Sequence, residues 1–313
     1  MKLLELTKTF NEKINRMFEF TSGKKVVIWG YGYGGQFIEN IYKKNNKQVD
    51  LIIDNNFASK CNYSYYLRTL DPQCSSVIVT FTPTDKDIEF LNSLGFIENK
   101  NVFLAKQAIL SHNNGGYLSY TKYLEANVSG LDFTKAEDNR VSGVNIDNHV
   151  YGCSHDFSIE NIFDNFVIKD SDAIFDFGCG KGATFPIFIK CGFKKMGGVE
   201  LDKKIYDILT NNMKLLDINT ISIYNEDATK LKEILDEYNY FYMYNPFEGE
   251  IFKQIIYNIE ESYNRKKRKI FLIYTAPVCQ KFLLERKLFH VVKEVETSFY
   301  ESKDALIYEI GEG

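Results

Sequence analysis

No Cys-x-x-Cys pair occurs in the 313 residues, and the four histidines do not fall at zinc-finger spacing. A zinc-built fold is thereby excluded, and no metal site is expected. The six cysteines (Cys61, Cys74, Cys153, Cys179, Cys191, Cys279) are dispersed like reduced thiols, which predicts a cytoplasmic protein. No apolar stretch approaches the roughly 18 residues a membrane span needs. Glu5, Lys8, Glu12, Lys13 and Arg16 interrupt the N-terminal apolar residues where a signal peptide would keep an uncharged run, so membrane insertion is not expected. A basic excess is missing too: 38 Lys and Arg face 42 Asp and Glu, a net charge of -4. That balance offers no overall field for a phosphate backbone, so nucleic acid is expected to be an unlikely partner. What the chain does have is 44% hydrophobic and 26% charged residues, the balance of a folded globular protein, over a length that exceeds one usual hydrophobic core. Two domains are expected; the oligomeric state is left open.

Leu3, Leu4, Leu6, Phe10, Ile14, Met17 and Phe18 recur at helical spacing and predict an amphipathic helix that stops before Thr21-Ser22-Gly23. Val26 to Trp29 reads as a buried strand, followed by glycines, a helix to Lys44 and a strand from Val49 to Ile53 ending in Asp54. Strands at Ser76 to Phe81 and Asn101 to Ala105, with a helix at Asp85 to Leu94, continue the alternation of a parallel sheet covered by helices. Residues 1–110 are thus expected to form a Rossmann-like domain. Over 111–160 the pattern weakens and Asn113-Asn114-Gly115-Gly116 breaks the chain, as in a linker or lid. From 161 to 313 the alternation resumes: a helix at Ile159 to Phe166, strands near 173–177, 195–200, 220–224, 239–244 and 269–275, and two apolar runs, Phe289 to Val295 and Ala305 to Ile310, spaced for an antiparallel pair.

The strand Ala173 to Phe177 delivers Asp176 and is followed by Gly178, Gly180 and Gly182 before a helix running towards Cys191. Glycines there permit positive φ and leave room for a ligand against the backbone, and the helix start offers free amides. The next strand ends in Glu200, placed to accept bonds from ribose hydroxyls. The third ends at Asn225-Glu226-Asp227 and the fourth at Asn245-Pro246-Phe247. These four signals, at the ends of successive strands, resemble class I S-adenosylmethionine-dependent methyltransferases over roughly Asp164 to Gly313, with D-x-G-x-G-x-G as first motif. The fold class expected is α/β with two doubly wound domains: an N-terminal Rossmann-like parallel sheet and a C-terminal class I methyltransferase sheet with a terminal antiparallel hairpin. The resemblance implies that the Gly178 to Gly182 loop lies under the methionine part of S-adenosylmethionine, Asp176 holds its amino group, Glu200 the ribose and Asp227 the adenine amine. Leu201 or Ala228 would pack on the adenine face. Cys179, with no histidine near it in sequence, reads as a tolerated small residue.

Asn245-Pro246-Phe247 resembles the N-P-P-Y/F motif of amine-directed methyltransferases with one proline missing. The resemblance implies that the Asn245 side-chain oxygen and a neighbouring carbonyl accept bonds from the target nitrogen, while Phe247 packs against the acceptor. The bland alternative is that Pro246 ends the strand and Phe247 joins the core. N-methylation is favoured over O-methylation; for a hydroxyl acceptor His155 would be the base, its ordinary pKa suiting that task. Asp156 reads equally as a helix cap. Tyr117, Tyr120 and Tyr123 fit a pocket lining or one packed helical face equally well.

Gly30-Tyr31-Gly32-Tyr33-Gly34-Gly35, with Asp54 at the end of the next strand, matches the dinucleotide fingerprint, so Gly30, Gly32, Gly35 and Asp54 form a second candidate nucleotide site. Lys25 to Ala105 resembles the small nucleotide-binding domains that accompany sugar-modifying enzymes of bacterial surface glycans, which implies a nucleotide-activated sugar, NAD, or no ligand. The run Arg265-Lys266-Lys267-Arg268-Lys269 reads as a solvated helix end. The expected function is therefore methyl transfer from S-adenosylmethionine to a small-molecule acceptor, such as a nucleotide-linked sugar or an amino-acid derivative. An NAD- or nucleotide-sugar-dependent oxidoreductase using the first loop is the alternative, and a non-catalytic binding protein the third.

Overall fold

The computed structural model describes residues 2–56, 62, 64–110, 117–135, 156–296 and 305–311. His155 and the Asn113 to Gly116 break lie outside the described residues. The chain divides into two compact units, Met1–Ser129 and Gly130–Gly313, and the division falls inside the segment read as linker or lid.

In the first unit, α1 (Lys2–Thr21) buries Leu3, Phe10, Ile14, Met17 and Phe18, the face its periodicity marks. Next come β1 (Lys25–Trp29), α2 (Tyr33–Lys44), β2 (Leu51–Ile53), β3 (Ser75–Val79), α3 (Asp85–Ser93) and β4 (Val102–Leu104). Among the described residues these strands make one parallel sheet in the order β2-β1-β3-β4. Thr84 and Asp87 form a capping box that starts α3. Two short helices follow, α4 (Ala105–Leu110) and α5 (Tyr120–Asn127). Tyr120 and Tyr123 are fully buried, with ring centroids 5.1 and 5.0 Å from Phe10, and the Tyr120 and Thr7 hydroxyls lie 2.6 Å apart. These two tyrosines therefore pack a helical face rather than line a pocket.

The second unit contains α6 (Asp156–Phe163), β5 (Ala173–Phe177), α7 (Thr184–Lys190), β6 (Lys195–Glu200), α8 (Lys203–Leu215), β7 (Ile221–Asn225) and β8 (Tyr240–Tyr244). It ends with α9 (Gly249–Arg265), β9 (Ile270–Thr275), α10 (Gln280–Leu284), β10 (Phe289–Val295) and β11 (Ala305–Ile310). Among the described residues the sheet order is β10-β11-β9-β8-β5-β6-β7. Strands β5 to β9 are parallel, and β11 lies antiparallel between β9 and β10. The sheet is thus mixed and closes in the terminal antiparallel hairpin that the last two apolar runs predict. Strand β5 is buried along its whole length because the sheet has cover on both faces, which is why Ala173 to Phe177 reads as apolar with one charge. Helix α6 begins three residues earlier than its apolar spacing suggests; Phe166, beyond its end, packs instead on Tyr240 and Phe271 at 5.3 and 4.9 Å.

The basic run does more than face solvent. Arg265 pairs with Asp236, while Arg268 donates to the carbonyls of Leu235, Tyr238, Ser262 and Lys266, tying the end of α9 to the approach to β8. Among the described residues no helix is long and apolar enough to cross a membrane.

Candidate active site

Parallel pairing puts the carboxyl ends of β9, β8, β5, β6 and β7 in a row along one edge of the second sheet. Open α/β sheets bind ligands at such an edge, where the strand order reverses. In this sheet the reversal lies between β5 and β8. The turn leaving β5 is built from glycines with left-handed backbones, Gly178 (φ 73), Gly180 (φ 52) and Gly182 (φ 79). Side chains other than glycine rarely adopt that region, and space forbids them as well. A Cβ on Gly178 would lie 2.6 Å from Cβ of Pro246, and one on Gly182 would lie 2.3 Å from Leu209 on α8. The amides of Gly178 and Cys179 both donate to the Val199 carbonyl at 3.0 Å, which pins the turn to β6.

Asp176 is almost completely buried, and the Thr184 hydroxyl donates to its Oδ2 at 2.6 Å. Burial pushes its carboxyl up to about 7; the charge of Glu200 adds to this and the Thr184 bond opposes it. Glu200 reaches back to the turn, its Oε2 accepting from the Gly180 amide at 3.0 Å and its Oε1 from Asp202 at 2.8 Å. Burial raises its pKa too, against those two bonds. The Asn225 side chain donates to the carbonyls of Glu200 and Leu201 and so fixes the end of β6. Leu201 is an apolar side chain left 48% exposed, whereas Ala228 is buried. Asp227 Oδ1 accepts from the amide and the hydroxyl of Thr229. Cys179 is buried and its thiol is pushed well above the ordinary value by burial and by the Asp176 and Glu200 carboxylates, as suits an inert side chain.

Across the switch point, Pro246 seats directly on Gly178, so the turn after β8 and the turn after β5 touch. Asn245 adopts φ 40, a left-handed backbone that asparagine enters more readily than most residues with a side chain. Its Oδ1 accepts from the Tyr274 hydroxyl at 3.1 Å. Phe247 is 8% exposed and belongs to the core between β8 and α9, so its ring is committed to packing rather than offered to an acceptor.

Three residues that strand-end reasoning passed over hold the turn. Lys181, in the middle of the glycine run, is fully buried; its Nζ donates to Asp132 Oδ2 at 2.9 Å and to the Lys135 carbonyl at 2.8 Å. Asn212 of α8, also fully buried, donates to the carbonyls of Asp132 and Lys181 and accepts from the Asp132 amide. Thr184 is the partner of Asp176. A lysine inside a glycine run was the one visible signal.

The first glycine turn is closed on itself. Asp54, 8% exposed, accepts from the Tyr31 amide through Oδ2 at 2.6 Å and from the Asn56 amide through Oδ1 at 2.8 Å. The Thr80 hydroxyl donates to the Gly30 carbonyl, and a Cβ on Gly35 would lie 2.1 Å from that same oxygen. Gly32 caps α2 without a side-chain bond. The Asp54 carboxylate thus shapes its own turn, as Glu200 does the second.

No family model matches the chain. It is similar to an rRNA adenine N-6-methyltransferase of Lysinibacillus sphaericus, 32% identical over 111 residues. That stretch is 35% of this chain and 40% of the relative, so the chain spans less than half of the relative it matches. A name that specifies ribosomal RNA overturns the expectation of nucleic acid as an unlikely partner, and the small-molecule acceptor expected in its place is not retained. Net charge misled because it averages over both units and says nothing of the local field at one strand edge. Among solved structures, a SAM dependent methyltransferase from Aquifex aeolicus is 13% identical with a TM-score of 0.39, over 49% of this chain and 89% of that one. An RNA methyltransferase from Salinibacter ruber, in complex with S-adenosyl-L-homocysteine, is 12% identical with a TM-score of 0.36, over 50% and 91%. A ribosomal protein L11 methylase from Lactobacillus delbrueckii subsp. bulgaricus is 14% identical with a TM-score of 0.38, over 49% and 77%.

Proposed function

We propose that this protein is an S-adenosylmethionine-dependent methyltransferase that methylates an exocyclic amine of a nucleic-acid base, the N6 amine of adenine in ribosomal RNA. The observation that carries this reading is the seating of Pro246 on Gly178, which brings the amine-site sequence Asn245-Pro246 against the glycine turn at the switch point. The shared stretch with an rRNA adenine methyltransferase supports the choice of acceptor.

The residues suit the cofactor. The Gly178 to Gly182 turn would lie under the methionine part, with Asp176 to hold its amino group. Glu200 would hold the ribose, Asp227 the adenine amine, and Leu201 or Ala228 the adenine face. Bound there, S-adenosylmethionine supplies an electrophilic methyl group. Asn245 Oδ1, with one lone pair already engaged by Tyr274, keeps a second for a target N–H, and a carbonyl of the same turn would take the other. Two acceptors hold the nitrogen with its lone pair free to attack, and positioning of this kind can supply about 7–11 kcal/mol of the barrier. Because the acceptor amine is neutral, no dedicated base is assigned. The first turn is assigned no part in this reading.

Incubation with S-adenosylmethionine labelled in its methyl group and with in vitro transcribed ribosomal RNA, followed by nucleoside analysis, tests the reading. Label is expected in N6-methyladenosine, and Asn245→Ala is expected to lower turnover about 100-fold or more while leaving cofactor affinity unchanged. Cofactor binding without label in RNA would overturn the acceptor assignment; absence of binding would overturn the whole reading.

A further inference from the structure

Asn245 does not hold its own position. Its backbone is left-handed, at φ 40, and the residue at the corresponding exit of the neighbouring strand, Ala276, is left-handed as well, at φ 51. Between them stands Tyr274 of β9, paired in register with Met243 of β8, two residues before Asn245. Its ring is fully buried and stacked on Phe252, with centroids 5.2 Å apart and planes 27° apart, so the hydroxyl has one place to be. That oxygen accepts from the Cys279 amide at 3.1 Å, and its proton goes to Asn245 Oδ1 at 3.1 Å.

The order of donors fixes the orientation of the amide. Since the Cys279 N–H points at the Tyr274 oxygen, the hydroxyl proton must find an acceptor elsewhere, and a buried hydroxyl that fails to do so is costly. Asn245 offers one only through Oδ1. Turned by half a revolution, it would present Nδ2, and the hydroxyl would have to give up Oδ1 and turn its proton to the Cys279 sulfur, a weaker acceptor. Chained bonds of this type also polarise one another.

We infer that Tyr274 is a positioning residue for amine methylation: through the relay from Cys279 it holds the Asn245 amide with its oxygen end in place, ready for the target N–H. This rests on the function proposed above. Tyr274 touches neither cofactor nor acceptor; it acts through Asn245.

Tyr274→Phe keeps the ring stack and removes only the relay. Its turnover on in vitro transcribed ribosomal RNA is expected to fall about 10-fold, with KM for RNA and affinity for S-adenosylmethionine unchanged. In an Asn245→Ala background the same substitution is expected to cost nothing further, which a merely structural role would not produce. Turnover of Tyr274→Phe within twofold of the parent, or an undiminished loss in the Asn245→Ala background, would overturn the inference. The Asn245 side-chain amide, identified in 15N spectra by its disappearance in Asn245→Ala, reads the positioning without any turnover. It is expected to be rigid in the parent and mobile in Tyr274→Phe. A rigid amide in a protein that labels no RNA would sink the acceptor assignment and leave the relay standing. A mobile amide in the parent would sink the relay, whether or not Tyr274→Phe folds.

Discussion

At the scale of single residues, the most informative is Asp176, because the fold and the proposed function pull its proton in opposite directions. Burial raises its pKa from 3.8 to about 7. A carboxyl raised in the folded state keeps a proton that the unfolded chain has released. Its contribution to the stability of the ligand-free protein is therefore present below about pH 4 and is lost as pH rises to about 7. An ammonium group beside it favours the ionised form. Binding of S-adenosylmethionine at about pH 6 is thus expected to release a proton, and affinity to rise with pH until about 7 and then level off. Calorimetry in two buffers of different ionisation heat measures that proton directly. In Asp176→Asn the linked proton should vanish and affinity should fall. Binding of equal strength at pH 5.5 and 7.5 would show that Asp176 does not meet the ligand.

At the scale of elements, the glycine turn is held by side chains that reach residues 131–135. Lys181 reaches Asp132 and the Lys135 carbonyl, and Asn212 brackets the same stretch from α8. Residues 131–135 are thereby fastened to the turn, with Phe133 fully buried. Lys181→Met retains the apolar stem but leaves Asp132 without its cation and the Lys135 carbonyl without its donor. Since the Asp132 side chain keeps 26% of its exposure, the cost should be below that of a fully buried pair. About 2 kcal/mol is expected, read as a lower midpoint of denaturant unfolding, together with weaker cofactor affinity. An unchanged midpoint would mean that the strap contributes nothing to holding the turn.

At the scale of the molecule, two units with separate cores imply two folding transitions. Only the transition of Gly130–Gly313 should respond to S-adenosylhomocysteine, gaining about 2.7 kcal/mol when the ligand stands at a hundred times its Kd. Scanning calorimetry with and without the ligand tests this. Stabilisation of the other transition by S-adenosylhomocysteine, or of either by NAD, would reopen the first glycine turn as a ligand site.

Periodicity and strand-end residues were enough to establish much of this architecture. The alternation of apolar runs marked every strand of both sheets, and the pair Phe289 to Val295 and Ala305 to Ile310 announced the closing hairpin, because hydrophobic pattern and glycine φ preferences act locally along the chain. Asp176, Glu200, Asp227 and Asn245 stood out for the same reason: each lies at or within two residues of the end of a strand. Short α5 was missed, since eight residues begun by a serine cap show too little period. The two glycine turns could not be told apart by composition. Only tertiary structure separated them, by laying Pro246 of the turn after β8 on Gly178. Lys181, Asn212 and Tyr274 were hidden for a related reason. Their partners lie 49, 80 and 29 residues away, and hydrogen bonds across such distances exist only once the sheet has brought its strand ends together.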